Sequence, residues 1–171
     1  MLGKNPLGFS QAPFPPPSAN WRIPLSPRST LTEAETNFIH SQRAGRLATV
    51  DEQGTPYLVP ICYAFDGTHF YSALDEKPKS VAGRKLRRVR NIEHNHKASL
   101  LIDRYDENWS QLGYVLIIGH AELIETTHEL HSHALQLLRE RYSQYTSMAL
   151  EQYPVIMLTP QQVTSWGPAI L

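Results

Sequence analysis

Lys77 and Lys79 flank a single proline in the run LDEKPKS, and their spacing suits the binding of a phosphate. The β-rich stretch HFYSAL leads into them and a helix-compatible stretch follows, so the pair stands at a strand-to-helix junction. At such a junction side-chain cations and free backbone N–H groups can converge on one anion. Tyr71 and Ser72, at the end of the strand, add hydroxyl and backbone donors. Lys77, Lys79, Arg84, Lys85, Arg87, Arg88 and Arg90 make up 7 of the 16 Lys and Arg, in a molecule of formal net charge +0. The lysine pair is the expected anion site; the stretch from Arg84 to Arg90 reads either as a solvated helix face or as contacts to a longer anionic tail. Val59, Pro60 and Ile61, on a strand expected to form a hairpin with the Tyr71 strand, offer apolar backbone against which a flat ring can rest.

Other chemistries have less behind them. Of the 8 histidines, His94 and His96 are spaced i, i+2, and His128, His131 and His133 cluster on an expected helix, where His128 and His131 would share a face. No cysteine or carboxylate is spaced to complete a metal site, so none is expected. No G-x-S-x-G turn presents a nucleophilic serine. No G-x-G-x-x-G or G-K-[ST] loop exists, which excludes phosphate binding of the Rossmann or P-loop kind. The basic helix lacks interleaved aromatics and the charge is balanced, so nucleic acid is not the expected partner.

The elements that must position these residues follow from pattern. At 171 residues and 41% hydrophobic, the chain suits one ordinary domain with a real core. Residues 1–30 hold 7 of the 13 prolines (Pro6, Pro13, Pro15, Pro16, Pro17, Pro24 and Pro27), which disfavours helix and central strand alike and reads as an arm preceding a domain over 31–171. Phe14 and Trp21 are its candidate anchors. Thr32 and Glu35 form a capping box for a helix over 33–44 closed by Gly45. RLATV, PYLVPICYAF and HFYSAL read as three consecutive antiparallel strands, a meander, with Asp66-Gly67 as a hairpin turn. Pro60 demands an edge or an irregularity there. A basic helix, a buried strand over 98–105 and a long strand over 112–125 follow, with Gly119 a candidate bulge. A second capping-box spacing, Thr126 and Glu129, predicts an amphipathic helix over 127–142. Two short strands broken at Pro160 close the chain. No run approaches the roughly 20 apolar residues of a membrane span. Neither a secretory signal nor a possible internal disulfide is visible, Cys62 being the single cysteine, so a cytoplasmic protein is expected.

About six antiparallel strands and three helices, with three strands preceding the basic helix without a crossover, imply a small β-barrel with helices packed outside. In that order the segments RLATVDEQGTPYLVPICYAFDG, FYSALDEKPK, RNIEHNHKASLLID and W-x-x-L-x-x-V followed by Gly-x-Ala-Glu resemble the pyridoxamine 5'-phosphate oxidase-like split β-barrel superfamily of flavin and deazaflavin proteins. The K-P-K form, with Y-D-E-N-W downstream, is similar to its probable F420-dependent subgroup. The resemblance implies a mainly β split barrel, an obligate homodimer with cofactor sites at the interface, and hydride transfer between F420 or FMN and a small organic substrate. It implies that Val59, Pro60 and Ile61 lie along the ring, that Tyr71 and Ser72 meet the ribityl-phosphate region, and that Lys77 and Lys79 hold the phosphate. It places Trp109 and Tyr114 of the second chain near the ring, with Trp166 closing the pocket. The C-terminal R-x-H-x-R signature of the oxidase proper is missing, which argues against pyridoxamine phosphate as substrate. The sequence offers no dedicated general acid, and Tyr63, Tyr114 and solvent are the unranked candidates for the proton source. A non-catalytic flavin or tetrapyrrole binder on the same fold, with histidine ligands, is the alternative.

Overall fold

A computed structural model describes residues 28–74 and 86–170. Lys77 and Lys79, with Arg84, Lys85 and most of the proline-rich arm, lie outside the described residues.

Helix α1 (Glu33–Ser41) starts at the expected capping box: the Thr32 hydroxyl accepts the Glu35 N–H at 3.2 Å, and Glu35 Oε2 accepts the Thr32 N–H at 2.8 Å. The helix ends at Ser41 rather than 44, and Gly45 does not cap it. Gly45 instead opens strand β1 (Gly45–Val50), where a Cβ would lie 2.8 Å from Leu100 Cδ1. Its small size serves strand packing.

Strand β2 (Pro56–Ile61) pairs with β1 from Gly45↔Ile61 to Val50↔Pro56. β3 (Ala64–Phe65) pairs with β4 (Phe70–Ala73). The expected meander therefore does not form. The chain breaks at Cys62–Tyr63 into two hairpins, which stand at opposite ends of a seven-stranded antiparallel sheet of order β2-β1-β5-β6-β7-β4-β3, with β5 at Lys97–Arg104, β6 at Gly113–Ile124 and β7 at Val155–Trp166. Pro60 does sit on an edge strand, as its missing N–H requires. The sheet curls into a split barrel, because inward side chains from both ends of the order, Leu47 and Ile61 with Phe70, Ile156 and Leu158, share one core.

Helix α2 (Arg87–His94) buries Val89 and Ile92 in that core and turns Arg87 and Arg90 to solvent. Arg87 bonds Asp51 in the β1–β2 turn at 2.8 Å. Buried Asn91 donates to the Thr49 hydroxyl at 3.0 Å.

Helix α3 (His131–Arg141) starts four residues later than the second capping-box spacing predicts. Its N-cap is Leu130, whose N–H goes to His128 Nδ1 at 3.1 Å, while the His131 N–H goes to the His128 carbonyl at 3.0 Å. A tight turn thus uses the donors that a helix from 127 would have needed. His128 lies outside the helix and shares no face with His131, which is buried with Nε2 2.9 Å from the Tyr153 carbonyl.

β7 is one 12-residue strand, not two. Pro160 pairs with Gly119 and Gln162 with Ile118, so Gln161 is the extra residue of a bulge, and Pro160 falls where the ladder is already interrupted. The expected irregularity at Gly119 is there, and a Cβ on it would lie 2.1 Å from the Thr159 carbonyl oxygen. Below the bulge Ile156 and Leu158 point inward; above it Val163 does.

The chain enters the domain along β7. The Arg28 carbonyl accepts the Val163 N–H at 2.7 Å, and the Arg28 guanidinium grips both oxygens of Glu35, whose side chain is 1% exposed. Burial pushes the Glu35 carboxyl up, but hydrogen bonds from Arg28, Ser165 and the Thr32 N–H outweigh it and hold the group below the ordinary glutamate range. A carboxyl depressed in the folded state stabilises the fold above its unfolded pKa of about 4.3 and loses that contribution as pH falls through the folded value. Glu35→Gln is expected to lower stability at neutral pH by about 1–3 kcal/mol and to flatten the acid limb of a melting-temperature profile. An acid limb identical to that of the parent protein would contradict this role.

Candidate functional site

Helix α3 packs on only half of the outer face of the sheet, over Tyr71, Ala73, Ile124, Val155 and Met157. The other half carries the outward residues of β1, β2, β5, β6 and upper β7. Strand register arranges them in rows: Leu58–Ala48–Ser99–Ile118–Gln162, then Pro60–Arg46–Leu101–Leu116–Thr164, then Asp103–Tyr114–Trp166. Leu58 is 62% exposed, Trp166 40% and Ile118 39%. At the β1–β2 edge the face is indented by a groove of about 360 Å³ lined by Ala44, Gly45, Arg46, Leu58, Val59 and Pro60. That volume falls in the range of small-molecule sites, about 300–1,000 Å³. Its lining is apolar except for Arg46, whose Nη1 donates to Asp103 Oδ1.

The structure brings Val59 and Pro60 into this groove and separates them from Tyr71 and Ser72. Val59–Ile61 pair with β1, not with the Tyr71 strand. Ile61 is buried in the barrel. Ser72, also buried, lines with Ile61, Leu47 and Leu100 an interior void of about 10 Å³, at the lower limit for one water. Tyr71 is fully buried and packs in the cluster under α3, and its hydroxyl donates to Asp66 Oδ2 at 2.8 Å. Burial, then the Asp66 carboxylate, push the Tyr71 phenol well above its ordinary range. Asp66 is itself a hub: Oδ1 accepts the Thr68 and His69 N–H groups at 2.7 and 2.6 Å, and His69 Nδ1 and His133 Nε2 lie 3.7 and 3.9 Å from Oδ2. Burial opposes its ionisation, but the His69 N–H, the Tyr71 hydroxyl and the Thr68 N–H hold it low.

Two of the three aromatic candidates meet elsewhere on this face, and the third lies in the turn that precedes β6. Tyr114 stacks on its register partner Trp166 with centroids 6.1 Å apart and planes at 25°. Trp109, 46% exposed, opens a short turn whose Asn108 side chain accepts the Ser110 N–H at 3.2 Å. The C-terminal turn Pro168–Ile170 ties back through the Ala169 N–H to the Leu112 carbonyl at 3.0 Å, and Gly167 adopts φ 118 to make the approach. Within one chain, the groove and this aromatic group occupy one face in separate rows.

Tyr63 takes a structural role. It is buried, its hydroxyl donates to the Ile39 carbonyl at 2.5 Å, and burial foremost raises its pKa above the ordinary tyrosine range. The Tyr63 backbone is held in turn by Tyr142, whose hydroxyl accepts the Tyr63 N–H at 3.0 Å and has the Tyr63 and Arg43 carbonyls at 2.8 and 2.9 Å for its one proton. Arg43 stacks over the Tyr142 ring at 4.7 Å, and Arg141 reaches the Ile39 and Gln42 carbonyls that end α1. Sequence reasoning missed Tyr142, Arg46, Asp103 and Asp66. The one local signal was the Asp66-Gly67 pair, read only as a turn.

Among the described residues, no three His, Cys, Asp or Glu converge to hold a metal, and no helix is long and apolar enough to cross a membrane. The pattern that defines the pyridoxamine 5'-phosphate oxidase family matches residues 31–167, from the first cap through all seven strands. The chain belongs to this family. Its fold is shared by solved structures of low identity. One is a conserved hypothetical protein from Mycobacterium tuberculosis, 23% identical over 85% of this chain and 91% of that one, with a TM-score of 0.65. HutZ, a heme storage protein from Vibrio cholerae, is 17% identical over 81% and 94%, TM-score 0.62. A FAD-binding protein from Mesorhizobium loti is 24% identical over 80% and 94%, TM-score 0.56. No match was found among the curated proteins.

The Tyr142 hydroxyl is the hydrogen-bond partner of a buried backbone N–H at the strand break that ends the groove wall. Tyr142→Phe keeps the ring and its packing but removes that partner, and is expected to cost about 1–3 kcal/mol. In a chain of this size that lowers the thermal midpoint by roughly 2–4 °C per kcal/mol. An unchanged midpoint would show that the bond carries no net stability.

Proposed function

We propose that the protein is a cytoplasmic flavin- or deazaflavin-dependent oxidoreductase that moves a hydride between bound FMN or F420 and a small organic substrate, as a homodimer with its sites at the subunit interface. The observation that carries this reading is the apolar groove at Val59 and Pro60, set in an exposed apolar sheet face of a pyridoxamine 5'-phosphate oxidase family chain. A flat ring suits the groove lining, and a second copy suits the face that α3 leaves bare.

In this reading Val59, Pro60 and Ile61 provide the backbone edge beside the ring. Lys77 and Lys79 hold the phosphate, or the phosphodiester and tail of F420. Trp109, Tyr114 and Trp166 come from the second subunit, since in one chain Tyr114 and Trp166 stand in a different row from the groove and Trp109 in the turn before β6, and they exclude water. When bound, the cofactor supplies the hydride chemistry. The chain's part is to bind the anion, orient the ring and keep the site dry. Tyr63 and Tyr71 are committed to Ile39 and Asp66, which leaves Tyr114 or solvent as the proton source and limits Tyr71 to backbone contact with a ligand.

A second reading, a tetrapyrrole carrier, has its own observation. His96 and His120 stack with centroids 4.8 Å apart beside the bare face, with His96 Nδ1 3.1 Å from the Ala121 carbonyl, and HutZ stores heme on the same fold. Haem titration separates the two: a Soret band lost in His96→Ala and His120→Ala favours the carrier.

The deciding experiment titrates FMN and F420 separately, followed by fluorescence. One of them is expected to bind, and Lys77→Ala/Lys79→Ala to weaken it by at least about tenfold, because charge-assisted bonds to a phosphate are worth about 1.5–3 kcal/mol each. Unaltered affinity in the double variant would move the anion site elsewhere, and failure of both cofactors to bind would sink the reading. Turnover with candidate acceptors then tells an enzyme from a carrier.

A further inference from the structure

Arg46 is the one charged side chain among the six residues that line the groove. It stands across from Pro60 on one side and Leu101 on the other. Its guanidinium is bonded to Asp103, in the next row of the same face, where Asp103 is the register partner of Tyr114. The two side chains are 46% and 32% exposed. A half-exposed ion pair of this kind adds little to stability. Its electrostatic weight rises once a ring displaces water from the groove and the effective dielectric falls.

We infer that the Arg46–Asp103 pair sets the reduction potential of the ring held in the β1–β2 groove, the guanidinium favouring the reduced ring and the carboxylate limiting that preference. This rests on the reading given under Proposed function. The chemistry is that of the ring itself: two electrons from a reductant and one proton from water reduce it, the proton is bound at N5 of FMN, and one negative charge remains over N1 and the C2 carbonyl. A fixed cation lining the groove stabilises that charge; a carboxylate beside the cation offsets part of it. Charge neighbours of opposite sign must therefore move the equilibrium in opposite directions.

The test uses the full-length protein with FMN as probe, or F420 where that is the cofactor retained, titrated with dithionite against a reference dye. Arg46→Gln is expected to weaken binding of the reduced form relative to the oxidised form by about tenfold, a fall of about 30 mV for a two-electron couple. Asp103→Asn is expected to raise the potential, and Arg46→Lys, which restores the charge, to return it toward that of the parent. Simple damage to the groove would weaken both redox forms and could not give shifts of opposite sign. Cofactor binding with an unchanged potential in both variants, or shifts of one sign, would overturn the inference while leaving the cofactor reading intact. Binding of neither cofactor would overturn both.

Discussion

Tyr142, at the end of α3, serves both backbone polar groups of Tyr63, and the rest of the sheet depends on that capture. An apolar run as continuous as PYLVPICYAF would otherwise extend one strand. With the Tyr63 N–H and carbonyl engaged by a side chain, the ladder to β1 ends at Ile61 and the chain crosses to the far end of the sheet. Two hairpins at opposite ends, facing one core, are what curl a flat sheet into a split barrel. The Tyr142 ring also carries the Arg43 guanidinium, one residue before the groove begins, so the groove walls and the strand break share a foundation.

The economy of helices follows from this curl. α1 and α2 feed Phe38, Ile39, Val89 and Ile92 into the inner core, and among the described residues α3 is the helix that packs on the outer face, over half of it. Its residues are not those of an ordinary solvated sheet: Leu58, Leu101, Leu116, Ile118, Tyr114 and Trp166 occupy positions where alternation calls for polar side chains. Arg46 and Asp103, on adjacent rows of it, neutralise each other. A face of that kind is suited to burial against apolar matter.

The parts legible in the sequence were those decided within a few residues. The Thr32–Glu35 cap, the Asp66-Gly67 turn, the edge position of Pro60 and the bulge at Gly119 each follow from local backbone chemistry. The failures have a common cause. The break at Tyr63 is enforced by a hydroxyl 79 residues away, and Arg46 meets its partner 57 residues away, so neither is visible in any short window. The Thr126–Glu129 spacing looked like a cap, but the ring nitrogen and carbonyl of His128 take the Leu130 and His131 N–H groups, which a helix from 127 would have bonded to the carbonyls of residues 126 and 127. Of the candidate site, Val59 and Pro60 were legible as an apolar edge. The burial of the Tyr71 side chain under α3 was not legible, because strand alternation alone does not say which face a later helix will cover.

The bulge at Gln161 acts as a parity switch. Even-numbered residues face the core below it and odd-numbered residues face the core above it, which lets one strand serve the barrel interior along its whole length. Trp166 lies on the outer face beside Tyr114 only because that one residue has been counted in. Between Pro160 and Val163 the strand can therefore change length in steps of two but not of one, since a single deletion there would turn the indole toward the core and Val163 toward the outside.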